Sequence, residues 1–318
     1  MKHTLEILLM VINLKLFILS LYNMKITRLG MTESGLLLLF FVYNHVNVPP
    51  NIKQQIVRSM MQLANWLYTT SGYYDSSVNG TKFNFDVSCL NAVNFQKYMG
   101  HLATAASGCE QSQFYFHEGF IMNLYKQVKT QFQQFYNIQN FVLLNDPDGP
   151  DLGRFIDRVP IIFEKIREKR VLVVSSFTGL VKQQYESGNI YKLGIDFPTV
   201  KHVDGVTTPY CFLNQGPHKD YFETLESIFE DIKQKDFDIA LLGCGAYGHM
   251  LTHKIHADLG KDAFYIGGCV TNVFGILSTR ERTVGMGKHV QTNEHWILDI
   301  PESYRPSNFK DIEDGCYW

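Results

Sequence analysis

Short apolar runs alternate with amphipathic stretches throughout the second half of the chain. The runs at 171–174 (VLVV), 238–242 (DIALL) and 263–266 (AFYI) predict strands that are buried on both faces of a parallel sheet. Apolar residues at helical spacing predict helices around these strands, at 161–169, 178–186, 221–235 and 249–259. Regular alternation of strand and helix is typical of βαβ units in a doubly wound sheet.

The pattern is less regular in the first half of the chain. It predicts a strand at 25–30 (KITRLG) and helices at 34–43 and 52–68. Residues 85–141 are rich in aromatic side chains and largely helical in pattern, and a short strand is predicted at 141–144 (FVLL). The sequence NDPDG at 145–149 is the clearest turn and a candidate boundary between two halves.

We therefore expect an α/β, Rossmann-like protein with a mostly parallel sheet flanked by helices. Residues 150–318 would form one half of the core, which the strand at 24–30 would complete, and 45–140 would be a largely helical, aromatic-rich insertion. The chain has one candidate ligand-binding motif near residue 28 and another near residue 245. These two motifs must meet at one crevice if both bind the same ligand. For this reason we expect one large unit over 1–318 in preference to two independent domains.

Composition narrows the class of protein. The chain has 318 residues, 45% of them apolar, and its 29 basic and 31 acidic side chains leave a net charge of −2. This apolar content is enough for a large core, which excludes a disordered chain. A protein that coats nucleic acid needs a clear excess of Lys and Arg, so we expect no nucleic acid partner.

The cysteines and the first residues bear on location. The six cysteines contain no CxxC pair, so neither a zinc ribbon nor a small disulfide scaffold is indicated, and a cytoplasmic location is expected. Residues 5–22 are strongly apolar but are interrupted by Asn13 and Lys15. We favour a buried helix and strand here, and no membrane partner; a signal peptide or membrane anchor is the alternative.

The sharpest local motif is GCGAYG at 243–248, a GxGxxG that follows a predicted strand and opens a predicted helix. Glycines allow a ligand to approach the backbone, and the N–H groups at a helix start favour a phosphate. The candidate contacts to a diphosphate are Gly243, Gly245, Ala246, Tyr247 and Gly248.

The residues at the end of the next predicted strand indicate which class of ligand the motif would bind. A dinucleotide would also require an acidic residue about 20 positions further on, where the chain instead has Gly267 and Gly268. A nucleotide or nucleotide-sugar diphosphate is therefore favoured over NAD(P) or a flavin dinucleotide. A glycine turn without a ligand is the third interpretation.

Two other predicted strand ends carry polar groups. Arg28, Gly30 and Glu33 follow the first strand and place a cation and a carboxylate at a helix start, although a surface ion pair would explain the same pattern. A second group of residues follows the strand at 171–174: Ser175, Ser176, Phe177 and Thr178. Helix N-capping would also explain the hydroxyls of this group. Further candidates past the last core strand are Gly267, Gly268, Asn272 and Arg280. Trp296, Tyr317 and Trp318 are aromatic side chains that would stack on a ligand, and core packing is the commoner alternative for them.

Histidines and a cysteine suggest two other chemistries. His249, His253 and His256 share a helix face at spacings that suit a metal, but no HExxH glutamate accompanies them, so a satisfied histidine face is preferred. Cys244 lies at a helix start, where a thiol pKa is lowered. No base for it is identifiable, and close packing of a small residue is the preferred explanation.

Several of these segments together resemble a known group of proteins. Residues 27–34 (TRLGMTES), 238–251 (DIALLGCGAYGHML), 261–280 and the tail at 293–303 and 312–318 resemble a family of largely uncharacterised proteins from bacteria, phages and large DNA viruses. The strand-end sequence at 169–177 (KRVLVVSSF) belongs to the same pattern. That family in turn resembles the GT-D type glycosyltransferases, chiefly through RxGxxE at 28–33 and the Rossmann-like core.

The resemblance implies sugar transfer from a nucleotide-diphosphate sugar to a hydroxyl of a glycan or protein acceptor. In GT-D enzymes an Asp-x-Glu pair helps to hold Mn²⁺ or Mg²⁺. Glu33 matches the second carboxylate, but Met31 replaces the Asp, and a thioether is a poor ligand for a hard cation. Glu33 would hold a metal or act as a base; alternatively Arg28 and the helix start at Gly248 would neutralise the diphosphate without metal.

Two other function classes stay open at this point. One is an NAD(P)-dependent Rossmann oxidoreductase. The other is a catalytically inactive nucleotide-binding or scaffold protein.

Overall fold

The computed structural model describes residues 24–78, 84–109, 111–144, 159–283 and 290–318. Seven parallel strands form one sheet in the order β3-β2-β1-β7-β6-β4-β5. Their bounds are β1 Lys25–Arg28, β2 Gln111–Phe114, β3 Phe141–Leu143, β4 Arg170–Ser175, β5 His202–Thr207, β6 Ile239–Gly243 and β7 Asp262–Tyr265. The α/β, Rossmann-like fold class expected from the sequence is therefore confirmed.

Helices cover both faces of the sheet. One face is covered by α1 Met31–His45, α2 Pro50–Thr70, α3 Val93–Ala106, α4 Phe120–Phe135, α7 Tyr221–Lys233 and α8 Tyr247–Leu259. The other face is covered by α5 Val159–Ile166, α6 Thr178–Glu186 and α9 Cys269–Val273, together with much of the C-terminal tail, which begins with α10 Thr279–Thr283. Both layers bury apolar side chains against the sheet, so its central strands are covered on both faces.

The central strands show why the apolar runs predict buried strands. Successive side chains of a strand point to opposite faces. In β4, Leu172 and Val174 enter the core under α8, whereas Val171 and Val173 enter the core under α6 and α9. An uninterrupted apolar run is therefore required where both faces are covered.

The connections bring several loops to one edge of the sheet. All strands are parallel, so the loops that lead into α1, α6, α8 and α9 leave from the carboxyl ends of β1, β4, β6 and β7. Strands β4 and β6 are neighbours in the sheet. The next strand in the chain after β4 is β5, which lies on the outer side of β4, and the next strand after β6 is β7, which lies on the outer side of β6. Such a reversal of strand order opens a crevice that binds ligands in doubly wound proteins.

Two strands depart from the sequence expectations. The range 85–141 was expected to be largely helical, but it contains β2, which lies in the sheet between β1 and β3. The edge strand β5 was not predicted either. Because β2 lies within the range 45–140, this largely helical part of the chain also contributes a strand to the sheet.

Two of the sequence-based expectations concern segments that the structure does not describe. The apolar segment 5–22 and the turn at 145–149 lie outside the described residues. Within the described residues, every helix is too short or too polar to cross a bilayer.

Candidate functional site

The ends of β1 and β7 meet at the middle of the carboxyl edge. Gly267 follows β7 with a φ of +62°, a left-handed conformation that glycine adopts without strain. A β-carbon at this position would lie 2.9 Å from Nη1 of Arg28, which is the last residue of β1. The glycine therefore leaves room for the Arg28 guanidinium against the backbone of the β7 loop.

The Arg28 side chain has no polar partner among the described residues. It takes part in no hydrogen bond and no ion pair with them, and its Nε is buried without an acceptor. The surface ion pair between Arg28 and Glu33 that the sequence suggested as an alternative is thus absent, because no guanidinium nitrogen of Arg28 lies within 4.0 Å of a carboxylate oxygen of Glu33. A buried donor without an acceptor costs about 1–3 kcal/mol, which an anionic ligand at this position would offset.

Glu33 lies in the first turn of α1 and is only 6% exposed. Burial raises its pKa; a backbone hydrogen bond, the charge of Arg28 and a hydrogen bond with the Ser71 side chain oppose the rise. The carboxyl group is packed under the preceding loop, because a β-carbon at Gly30 would lie 2.7 Å from Oε2. Glu33 is therefore held inside the protein, next to Arg28.

Buried tyrosines surround this carboxyl group. The pKa values of three of them are raised by burial and further by the charge of Glu33: Tyr98, Tyr221 and Tyr265. The hydroxyl of Tyr98 has no hydrogen-bond partner in the described part of the chain. The surroundings of Glu33 are thus aromatic and poorly hydrated, which favours its neutral form.

The glycine motif after β6 is filled by the protein's own groups. A β-carbon at Gly243 would lie 2.3 Å from Val270, and one at Gly248 would lie 2.3 Å from the Tyr265 ring. At Gly245, with a φ of +57°, the nearest atom is the Ser71 carbonyl oxygen. That oxygen also accepts a 2.6 Å hydrogen bond from the N–H of Ala246.

Ser71 therefore takes the position in which a phosphate oxygen was expected. Its carbonyl accepts from the helix start of α8, and its side chain bonds to Glu33. The remaining motif residue, Tyr247, is buried and stacks on Tyr221 with ring centroids 4.8 Å apart. The loop at 243–248 is joined through Ser71 to the loop after β1.

The hydroxyls after β4 bind the neighbouring loop. Ser176 donates to the Thr208 carbonyl at 3.0 Å, and the hydroxyls of Thr178 and Thr207 lie 2.5 Å apart. Ser175 Oγ accepts from the N–H of Phe177, while no side chain caps α6. In this structure the group expected to bind ligand ties the loops after β4 and β5 together.

The polar candidate residues that follow β7 also form hydrogen bonds within the protein. Asn272 donates to Glu281 at 2.9 Å, and Gly268 is exposed beside this pair. Arg280 donates to the Tyr317 hydroxyl, which donates to Glu313. The structure thus ties Arg280 to the tail, in contrast to Arg28.

Two of the three aromatic candidates belong to the core. Trp296 is buried and donates to the Leu193 carbonyl at 2.8 Å. Trp318 is buried against Tyr210 and Phe212. Core packing, the alternative considered from the sequence, accounts for both.

The histidine and cysteine chemistries gain no support from the geometry. Burial and the charge of Arg28 lower the pKa of His249 to about 3, so this imidazole is neutral. Its Nδ1 lies 3.5 Å from the Thr27 hydroxyl, and its Nε2 is buried and has no partner among the residues that the structure describes. Within the described residues no three His, Cys, Asp or Glu side chains are grouped to hold a metal. Burial also raises the pKa of Cys244, which disfavours a thiolate nucleophile.

Sequence reasoning missed Ser71 and Tyr265. Both contact the motif residues, but Ser71 lies in a loop without a recognisable pattern and Tyr265 in an apolar strand. Only the glycine spacing gave an indirect signal, because Gly248 in such a motif allows close packing of helix and strand.

Comparisons with protein-family models, with curated proteins and with solved structures give no match. The chemistry of the site is therefore the basis on which a function is assigned.

Proposed function

We propose that the chain is a glycosyltransferase that moves a sugar from a nucleotide-diphosphate sugar to a hydroxyl acceptor. The observation that carries the proposal is the Arg28 guanidinium, which lies at the carboxyl edge without a polar partner among the described residues. A departing nucleoside diphosphate develops negative charge as the glycosidic bond to the donor breaks. A fixed cation at that position stabilises the charge more in the transition state than in the ground state.

The β7 loop supports this placement of the diphosphate. Gly267 has no side chain between its backbone and Arg28, and Gly268 is exposed. A phosphate group that enters beside the exposed Gly268 would therefore be expected to reach the guanidinium. Contacts of the ligand with the loops at 243–248 and 175–178, with Asn272 and with Arg280 stay predictions.

The same loop favours sugar transfer over dinucleotide chemistry. The end of β7 would carry the acidic residue that holds the ribose of NAD, but the chain there reads Tyr265-Ile266-Gly267. The resemblance of residues 28–33 to the RxGxxE of GT-D enzymes also favours sugar transfer. Glu33 fits a positioning role better than that of a base, because it is packed under Gly30 and bonded to Ser71.

A thermal-shift screen tests the proposal. The full chain is heated with nucleoside diphosphates, nucleotide sugars and NAD(P), and a bound ligand at 100 times its Kd should add about 2.7 kcal/mol of stability. We expect a nucleoside diphosphate or nucleotide sugar to raise the Tm. In Arg28→Gln the same ligand should bind about 10- to 100-fold more weakly, because a charged hydrogen bond is lost.

The matched control is Arg58→Gln, which removes the same charge from an exposed position on α2. It should leave the ligand-induced shift unchanged. Turnover is then measured as release of the nucleoside diphosphate from the stabilising nucleotide sugar. A Tm shift with NAD(P) alone, or equal shifts in wild type and Arg28→Gln, would contradict the proposal.

A further inference from the structure

A divalent cation needs several oxygen ligands directed at one point. Mg²⁺ takes about six at 2.0–2.1 Å, and the Asp-x-Glu pair implied by the resemblance would supply two carboxylates. In this chain the first position is Met31, whose side chain is 37% exposed and offers only a thioether. The donor set at the end of β1 therefore contains one carboxylate, that of Glu33.

The Glu33 carboxyl group is already engaged by the protein. Its Oε2 is packed against Gly30, and Glu33 is only 6% exposed. On the β7 side, the Glu281 carboxylate accepts from Asn272. Within the described part of the chain, no three His, Cys, Asp or Glu side chains are grouped to hold a metal ion.

Arg28 adds a second obstacle to a cation. Its guanidinium lies close enough to Glu33 for its charge to lower the carboxyl pKa. Like charges in a poorly hydrated site repel strongly. A metal held by Glu33 would therefore be repelled by the Arg28 guanidinium.

We infer that this site binds a diphosphate without a divalent cation, with Arg28 as the counter-charge and Glu33 as a positioning residue packed under the Gly30 loop. The identity of the ligand as a diphosphate rests on the proposed function. Under this arrangement the ligand meets the Arg28 guanidinium directly. A bound Mg²⁺ would neutralise the charge that Arg28 recognises.

Isothermal titration of the full chain with inorganic pyrophosphate tests the inference. One arm contains EDTA and the other excess Mg²⁺. We expect binding in EDTA, with a Kd that Mg²⁺ leaves unchanged or raises. Arg28→Gln should raise the Kd in EDTA at least tenfold, whereas Arg58→Gln should leave it within twofold.

Failure to bind pyrophosphate in EDTA would overturn the inference. So would a tenfold or greater tightening by Mg²⁺, and loss of that tightening in Glu33→Gln would then place the metal on Glu33. Circular dichroism spectra of each variant establish that it is folded.

The inference and the proposed function fail in different ways. Metal-free, Arg28-dependent pyrophosphate binding without turnover of any nucleotide sugar would remove the proposed function and keep the inference. Turnover that requires Mg²⁺ or Mn²⁺ together with Glu33 would do the reverse.

Discussion

Three different parts of the chain approach the glycines that follow β6. Gly243 is contacted by Val270, Gly245 by the Ser71 carbonyl and Gly248 by the Tyr265 ring. A GxGxxG pattern is usually taken as evidence for a ligand at the backbone. At this motif, close packing by the protein itself requires each glycine, so the motif alone does not identify the ligand site.

Replacement of Gly248 by Ala tests this packing. The new β-carbon would lie 2.3 Å from the Tyr265 ring, a distance that forces the ring or α8 to move. Overpacking of this kind costs about 1–3 kcal/mol, which should exceed the gain of about 1 kcal/mol from the higher helix propensity of Ala. We expect a lower free energy of unfolding in urea.

Gly100→Ala is the matched control. Gly100 lies in α3, is exposed, and has no atom within 4 Å of an added β-carbon. Only the propensity term should act there, so this variant should be up to about 1 kcal/mol more stable than wild type. Equal stabilisation of both variants would show that the Tyr265 contact is absent in solution.

At the scale of elements, the strands β4 and β6 are joined at their amino ends by one side-chain pair. Asp238, directly before β6, accepts hydrogen bonds from the Arg170 side chain and backbone N–H at the start of β4. The side-chain hydrogen bond from Arg170 is the main cause that lowers the pKa of Asp238 from 3.8 to about 2. The pair therefore stabilises the folded state only while Asp238 is ionised.

The sign of the pH dependence follows from this shift. The folded-state pKa is below the unfolded value of 3.8, so the contribution is complete above about pH 4 and is lost as the pH falls towards 2. Asp238→Asn should lower the free energy of unfolding at pH 7, and the difference from wild type should shrink at pH 2.5. Urea unfolding at the two pH values measures both differences.

Asp236→Asn provides the comparison, because Asp236 contacts the same arginine but its side chain is 77% exposed. Exposed pairs contribute little, so this variant should stay closer to wild type at pH 7. A difference for Asp238→Asn that is the same at pH 7 and pH 2.5 would argue against the ion pair.

The elements also show what the sequence could and could not predict. The strands β4, β6 and β7 have apolar side chains on both faces, and this pattern predicted all three. In contrast, β2 (QSQF) is polar, yet Ser112 is buried because its hydroxyl donates to the Ala106 carbonyl. Such satisfaction of a buried polar group depends on contacts outside the strand, which periodicity does not report.

The same distinction holds for the site. That the loops after β1, β4, β6 and β7 share one edge follows from the parallel sheet, which the strand and helix pattern predicts. The contact of Ser71 with Ala246 and Glu33 joins segments far apart in the chain, so no local pattern indicated it. Sequence reasoning therefore found the edge of the sheet but not the group that fills the glycine loop.

At the scale of the whole molecule, the strand nearest the N-terminus lies inside the sheet. Strand β1 pairs with β2 on one side and with β7 on the other. The two apolar cores lie on opposite faces of this one sheet and share its strands. Loss of β1 would therefore expose both cores, which favours unfolding of the described residues as one cooperative unit.

The three tryptophans allow this expectation to be tested. Trp66 is in α2 on one face of the sheet, whereas Trp296 and Trp318 are buried in the core on the other face. In Trp66→Phe, fluorescence reports only the second core, while far-ultraviolet circular dichroism reports helices on both faces. Because the cores share β1, β7, β6 and β4, the two signals should change at the same urea concentration. Separate midpoints would show that the two cores unfold independently and would contradict a single cooperative unit.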